Sequence, residues 1–483
     1  MDTPAANEAP AKAPNIAVNI PRYSYYALGV LTLVNFLNYI DRQILPAVAP
    51  LMAEDLRLSD TEIGAMEAAL LLSFTILAPL FGRLGDRYSR TKLMASAAVI
   101  WSIATALTGL MDHSPILPGA IQLHVPLVKF TLSLSGVAIV LCFVRAAVGV
   151  GESSYSTITP SLIADYFPLS WRATALGIFQ AAIPMGFALG YVIGVVLAHF
   201  FGWRMAFMIV GVPGLITAFF VWRLREPVRG ASDAQATEDV AASHSPATVT
   251  RESWLRTSWR IILTRDWFLS TAGYTCLTFV LGAFATWGTF LLVRDKGMSV
   301  QGAGVTLGVV TLLAGAAGTF GGGWLADRLA RKRHNAYFVV CAASSFLGIV
   351  PAFAALSAGN SYIYIIAIFL TVFFLFINNA PFHAILLNSV AAPVRATAVA
   401  LNIVAIHLLG DVNSRFGVGV LSDSLKAGQS STLAAFATAL GIDPRGKNLT
   451  AALLVVPVAL LISSLFFVWG AWKQKAETVS SRQ

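Results

Sequence analysis

The chain has 483 residues, of which 57% are hydrophobic and only 12% charged, and its mean hydropathy is +0.71. Soluble domains carry roughly 25% charged residues. A chain with half that share cannot solvate a globule, so the composition excludes an ordinary soluble domain and makes a bilayer the fitting solvent. The formal charge of +9 invites a nucleic-acid partner, but the placement of the basic residues argues against one.

Residues 1–21 are rich in Ala, Pro and Asn without an apolar run, the pattern of a disordered tail and not of a cleaved signal peptide. A spanning helix needs about 20 mostly apolar residues. Stretches of that kind fall near 25–50, 60–82, 93–111, 130–155, 173–199, 204–223, 267–293, 302–325, 336–357, 361–388, 396–422 and 450–472. The second opens on Ser59 and Glu62, a capping-box pattern. The reading is an all-α membrane protein of twelve transmembrane helices. Two six-helix bundles cover 22–225 and 266–473, a linker covers 226–265, and a short tail covers 474–483. Within the linker, residues 226–250 are polar and read as disordered. Trp254, Trp259 and Trp267 then alternate with Arg251, Arg256, Arg260 and Arg265, as expected of an interfacial amphipathic helix.

Placing the N-terminus in the cytoplasm puts 22 of the 33 basic residues on that side and 8 on the other, with Arg42, Arg145 and Arg415 inside spans. Such a bias predicts both termini inside and accounts for the basic charge without nucleic acid. The short loops suit a bacterial inner membrane. Cys142, Cys276 and Cys341 all fall inside spans, odd in number and without paired spacing, so they indicate neither a disulfide framework nor a zinc site.

The halves echo each other. Gly82–Lys92 and Gly323–Lys332 both run Gly-x-x-x-Asp-Arg-x-x-Arg, with Asp86, Arg87 and Arg90 matched by Asp327, Arg328 and Arg331. Arg-Ala-Thr-Ala opens span five at Arg172–Ala175 and span eleven at Arg395–Ala398. Duplicated halves related by pseudosymmetry are a transporter architecture. Both Asp-Arg loops read as latches that bias one facing state against the other.

With these loops the chain resembles the major facilitator superfamily, and within it the spinster family. The stretches Asn38–Arg42, Gly82–Tyr88, Arg145–Thr157, Ile183–Gly186 and His407–Asp411 carry the likeness. The resemblance implies an alternating-access carrier of lysolipid- or sphingosine-type amphiphiles, coupled to or modulated by protons in some members, and a monomer. Arg415 stands where the pattern often has Pro, and Val148 where the wider superfamily has Gln.

Ionisable side chains within a span cost roughly 2.5–3.5 kcal/mol on insertion scales, so they usually face a cavity or a partner. Asn35, Asn38 and Arg42 recur at i, i+3 and i+7, and Asp41 follows Asn38 by three. We expect Asp41 to take up a proton in one facing state and Arg42 to hold the anionic head of a substrate or change partner. A static Asp41–Arg42 ion pair is the alternative. Arg145, seven residues before Glu152, reads as a mid-membrane cavity or proton-relay residue; Glu152 would pair with the loop holding Arg87 and Arg90 as an inner gate. His407, Asp411 and Arg415 at i, i+4 and i+8 suit an intrahelical salt bridge, with Asp411 and Arg415 as gate residues. Substrate contacts are expected from Asn35, Asn38, Arg42, Glu67, His407 and, beside Pro381 in span ten, Asn379 and His383.

No P-loop, HExxH, GxSxG or paired CxxC occurs, so neither an ATP-driven pump, an enzyme, a metal centre nor a cofactor is indicated. Membrane lipids, protons and an amphipathic solute are the expected partners. A proton-driven multidrug exporter and a non-transporting membrane sensor are the rival readings.

Overall fold

The computed structural model describes residues 20–112, 121–125, 130–229, 254–391, 394–429 and 432–480. The expected disorder of the N-terminal tail and of the linker up to 250 lies almost wholly outside these residues. Helix α1 covers Arg22–Leu56, α2 Asp60–Arg87 and α3 Arg90–Thr108. A two-stranded antiparallel hairpin, β1 (Ile121–Val125) and β2 (Phe130–Leu134), pairs Ile121 with Leu134. It was absent from the sequence reading, which placed the fourth span from 130. Helix α4 covers Gly136–Tyr166, and α5 runs from Leu169 to Trp222.

The 54 residues of α5 form two arms, because the chain leaves helical geometry at Gly202 (φ 81°, ψ 159°). A left-handed φ is cheap only for glycine. The first arm lies along α1, where Gly186 and Gly190 approach the carbonyls of Phe36 and Ile40; the second lies along α3.

The second half opens with the short helix α6 (Trp254–Ile262), then α7 (Arg265–Phe290) with a π-helical turn over Leu291–Asp295, and α8 (Val300–Ala330). Next come α9 (Ala336–Leu347) with α10 (Ile349–Ser357), α11 (Ser361–Ile377) with α12 (Asn379–Asn388), and α13 (Arg395–Ala405), which continues through a π-turn at Ile406–Asp411 into α14 (Val412–Lys426). Helices α15 (Thr432–Ala439), α16 (Asn448–Leu453) and α17 (Val455–Ser480) complete the described chain. The last helix therefore continues past 473, where a tail was expected.

Among the described residues ten segments are long and apolar enough to cross a membrane. One of them, Thr174–Trp222, has 49 residues, twice a crossing length. Helix α1 adds a 35-residue helix with a polar middle. Counting that segment as two crossings and α1 as one brings the described helices to twelve, consistent with the expected two six-helix bundles.

The repeated Arg-Ala-Thr-Ala motif has the same task in each half. Arg172 donates to the carbonyl of Ala164 at 2.9 Å, and Arg395 donates to that of Leu387 at 2.9 Å. Each arginine thus reaches back eight residues to an end-of-helix carbonyl that has no partner within its own helix.

Candidate functional site

Helix α1 begins on the face that carries the Asp-Arg loops, here called the basic face. At the opposite face the halves are sealed together. Arg294 holds Asp60 through two hydrogen bonds of 2.9 and 2.8 Å. Ser422 donates to the same carboxylate at 2.6 Å, and the backbone N–H of Thr61 donates to Asp423 at 2.7 Å. A second seam joins α5 to α7 and α8: Tyr191 donates to the Ala285 carbonyl of α7 at 2.6 Å, and Gly308 of α8 takes the Ala188 carbonyl at close range.

One layer deeper, charged side chains meet with almost no exposure. Glu67 of α2 accepts from Arg145 of α4 at 3.5 Å and from Arg415 of α14, which crosses from the other half. Arg415 also donates to Thr286 at 3.0 Å and stands 3.8 Å from Asp411. Asp411 in turn accepts from the Nδ1–H of His407 at 3.1 Å. Nearby, Arg42 lies 3.6 Å from Glu152 and within 5.5 and 5.8 Å of the Phe74 and Tyr39 rings. The His407 ring meets Phe74 edge-on across the seam.

Arg42 and His407 keep 13% and 21% of their side chains exposed, whereas Glu67 and Arg145 keep 3% and none. These two are thus the more exposed members of the group, with the Asp60 and Glu67 layers closed above them. On the second half a small pocket is lined by Tyr274, Leu277, Thr278, Leu375, Phe376 and Asn379. Tyr274 stacks on Phe382 at 3.7 Å and donates to Asn379 Oδ1 at 2.5 Å. His383 donates from Nδ1 to the Asn379 carbonyl at 2.8 Å and is exposed.

Several placements differ from the sequence reading. Asp41 does not touch Arg42. It is buried against α3, where Thr105 donates to its Oδ2 at 2.7 Å, and its Oδ1 has no partner. Successive residues on a helix project about 100° apart, so the two side chains cannot share one face. Asn35 is likewise turned inward and donates to the Phe179 carbonyl at 2.9 Å. Asn38 is buried with its Nδ2 unpaired.

Glu152 pairs with Arg42, not with the loop of Arg87 and Arg90. Helix α4 continues fourteen residues beyond it, so it lies roughly 21 Å from that end. The 130–155 boundary misplaced its depth. Arg90 pairs instead with Asp165 at 2.6 Å and Glu226 at 2.8 Å. The Asp86 backbone carbonyl accepts from Arg229, and Asp327 accepts from Tyr337 at 3.3 Å; Arg328 lies over Trp324. Each of these contacts stays within its own half. Glu67, expected as a substrate contact, is the midpoint of the Arg145–Glu67–Arg415 chain.

The sequence reading missed Asp60, Arg294, Ser422 and Asp423, although two acids opening a helix beside a capping box were a legible sign at Asp60. Thr105 gave no signal, being an ordinary hydroxyl on an apolar helix. Glu226 sits beside Arg225 and Arg229 at the end of the sixth span, and that charge alternation was readable.

Comparisons with known proteins show the family of the chain. The Major Facilitator Superfamily profile matches residues 31–410. Human protein spinster homolog 1 is 33% identical over 84% of this chain and 74% of its own length. The chain belongs to the spinster family of the major facilitator superfamily. Drosophila melanogaster protein spinster is 31% identical over 86% of this chain, which spans 64% of that longer protein. Among solved structures, a bacterial homologue of the human lysosomal transporter spinster, in an inward-facing and unoccupied conformation, superposes with TM-score 0.71 at 20% identity over 94% of this chain and 96% of its own. A D-xylose–proton symporter superposes with TM-score 0.67 at 16% identity over 92% of this chain and 97% of its own. In a spinster-family chain the fold is that of alternating-access transporters, not of an enzyme.

Proposed function

We propose that the chain is a secondary transporter that carries an amphipathic anion, of lysolipid or sphingoid-phosphate type, by alternating access with proton modulation. It works as a monomer in a bacterial inner membrane, with the basic face and both termini in the cytoplasm. The observation that carries this reading is the charge count at the seam. Four carboxylates, Asp41, Glu67, Glu152 and Asp411, stand among three guanidiniums, Arg42, Arg145 and Arg415. Counted without the imidazole of His407, the carboxylates outnumber the guanidiniums by one. An uncompensated charge in a poorly hydrated interior is costly, and one proton removes the imbalance. The unpaired Oδ1 of Asp41 is the atom that proton would occupy.

Arg42 is the guanidinium of this group with the most exposed surface, and it faces the space between the halves; it would hold the anionic head. The Tyr274 pocket opposite, mostly apolar, would take the tail. Alternation requires the Glu67 and Asp60 layers to part, so that those residues act as gates and not as ligands.

The test is flux in proteoliposomes with lysophosphatidylglycerol and sphingosine phosphate, with and without an imposed pH gradient. Transport that responds to the gradient in the wild type, loses that response in Asp41→Asn, and fails in Arg42→Ala supports the reading. Binding without flux, or a gradient response that survives Asp41→Asn, overturns it.

A further inference from the structure

Helix α6 carries a two-stripe surface that the transport reading does not use. Its buried side is formed by Ser258 and Ile261. At roughly 3.6 residues per turn, Leu255, Trp259 and Leu263 fall on the next sector round, and they are 63%, 63% and 77% exposed. Beyond them, Arg256 and Arg260 form a second exposed stripe at i and i+4.

The helix is held in a fixed position against the start of α7. Leu263 N–H bonds the Trp259 carbonyl at 3.0 Å, Thr264 Oγ1 bonds that of Arg260 at 3.0 Å, and Phe268 N–H bonds the Thr264 carbonyl at 2.9 Å. This hydrogen-bonded corner leaves only Leu263 and Thr264 between α6 and the span α7. The apolar stripe runs on to Phe268, itself exposed on the first turns of that span. The corner is also tied to its neighbours: Trp267 Nε1 donates to the Ala398 carbonyl of α13 at 3.2 Å, and Gln474 of α17 donates to Asp266 at 2.7 Å. Exposed Trp472 with Lys473 beside its ring continues the aromatic and basic belt on α17.

We propose that α6 is a binding site for the headgroups of anionic phospholipids in the membrane surface. Leu255, Trp259 and Leu263 enter the boundary of the acyl region while Arg256 and Arg260 meet the phosphates. An apolar arc adjoining a cationic arc is the geometry that rests in this zone, and each surface arginine gains from the negative potential of anionic lipid. Through Trp267 the occupied site steadies the start of α13, and with it the helix that leads to His407, Asp411 and Arg415. The proposal depends on neither the solute nor the proton assigned above.

The full chain is reconstituted into phosphatidylcholine nanodiscs containing equal small fractions of brominated phosphatidylglycerol or brominated phosphatidylcholine. The Trp259 contribution is isolated by difference from Trp259→Phe. Quenching at least twofold greater by the brominated anionic lipid is expected, falling to parity in Arg256→Gln/Arg260→Gln. A rise in Tm on adding phosphatidylglycerol to detergent-solubilised protein should be lost in the same double variant. Equal quenching by both lipids, absence of any Trp259 quenching, or an anionic preference that survives removal of both arginines overturns the proposal.

Discussion

Arg294 and Asp60 face each other across the seam with two hydrogen bonds of 2.9 and 2.8 Å, joining the π-turn that ends α7 to the first turn of α2. Planar guanidinium–carboxylate pairing of this kind is geometrically demanding. It is satisfied only while the opposite face is shut.

Replacing Arg294 with Ala should therefore favour the alternate facing state. The pair is half-exposed on the arginine side. Its loss is worth about 1–2 kcal/mol, between the exposed and the buried limits, or roughly a tenfold change in the ratio of states. Alkylation of Thr289→Cys by an impermeant maleimide, in a background with Cys142 and Cys276 replaced by serine, reads that ratio. An unchanged alkylation rate would show that Asp60 and Arg294 do not hold the gate.

Gly419 and Gly64 permit the same closure by having no side chain. A Cβ on Gly419 would collide with the Asp60 carbonyl, and one on Gly64 with the carbonyl of Arg415. Backbone cannot yield as a flexible side chain can, so Gly419→Val should wedge α2 from α14. The expected outcome is transport reduced at least tenfold while the folded fraction, read by gel filtration, stays near wild type. Full transport in this variant would mean that closure does not use this seam.

Glu67 bridges two buried guanidiniums, Arg145 and Arg415. Removing one member of a buried ion pair costs roughly 3–5 kcal/mol, because the charge left behind has no partner. Glu67→Gln should lower Tm by several degrees and abolish flux, whereas the added change Arg415→Gln should recover much of the Tm without restoring flux. Thermal unfolding in detergent measures this. If the double variant were less stable than the sum of the single ones, the coupling would not be electrostatic.

The fold was legible because hydrophobic length and duplicated loops are one-dimensional signals. Gly82–Lys92 and Gly323–Lys332 mark both halves without any knowledge of packing. Arg415, His407 and Asp411 were found for the same reason, since i, i+4 spacing on one helix is enough to bring them together. The partners of Asp41 and Glu152 were not legible because they depend on helix rotation and depth. One residue of rotation turns a side chain from cavity to neighbour, and Thr105 lies 64 positions away. The Asp60–Arg294 contact spans 234 positions, a distance that no periodicity in a single sequence encodes.

Glu226 gives a pH-dependent test outside the spans. Burial works against its charged form, but hydrogen bonds from Arg90 Nε at 2.8 Å, the Thr91 N–H at 3.1 Å and Ser89 Oγ at 3.0 Å outweigh it and hold the carboxyl below its ordinary 4.5. Because the folded state binds this proton less readily than the unfolded chain, the stability it contributes is complete above about pH 4.5 and fades as the pH falls further. The strap that it anchors fastens the segment after α5 to the start of α3, while Arg229 holds the carbonyls of Gly85 and Tyr88 at 2.7 and 3.0 Å. Acidification between about pH 5 and pH 3 should therefore lower Tm more in the wild type than in Glu226→Gln, which has already lost the contribution at neutral pH. Differential scanning fluorimetry across that range decides the matter. Parallel curves for the two proteins would show that the Arg90–Glu226 contact does not stabilise the fold.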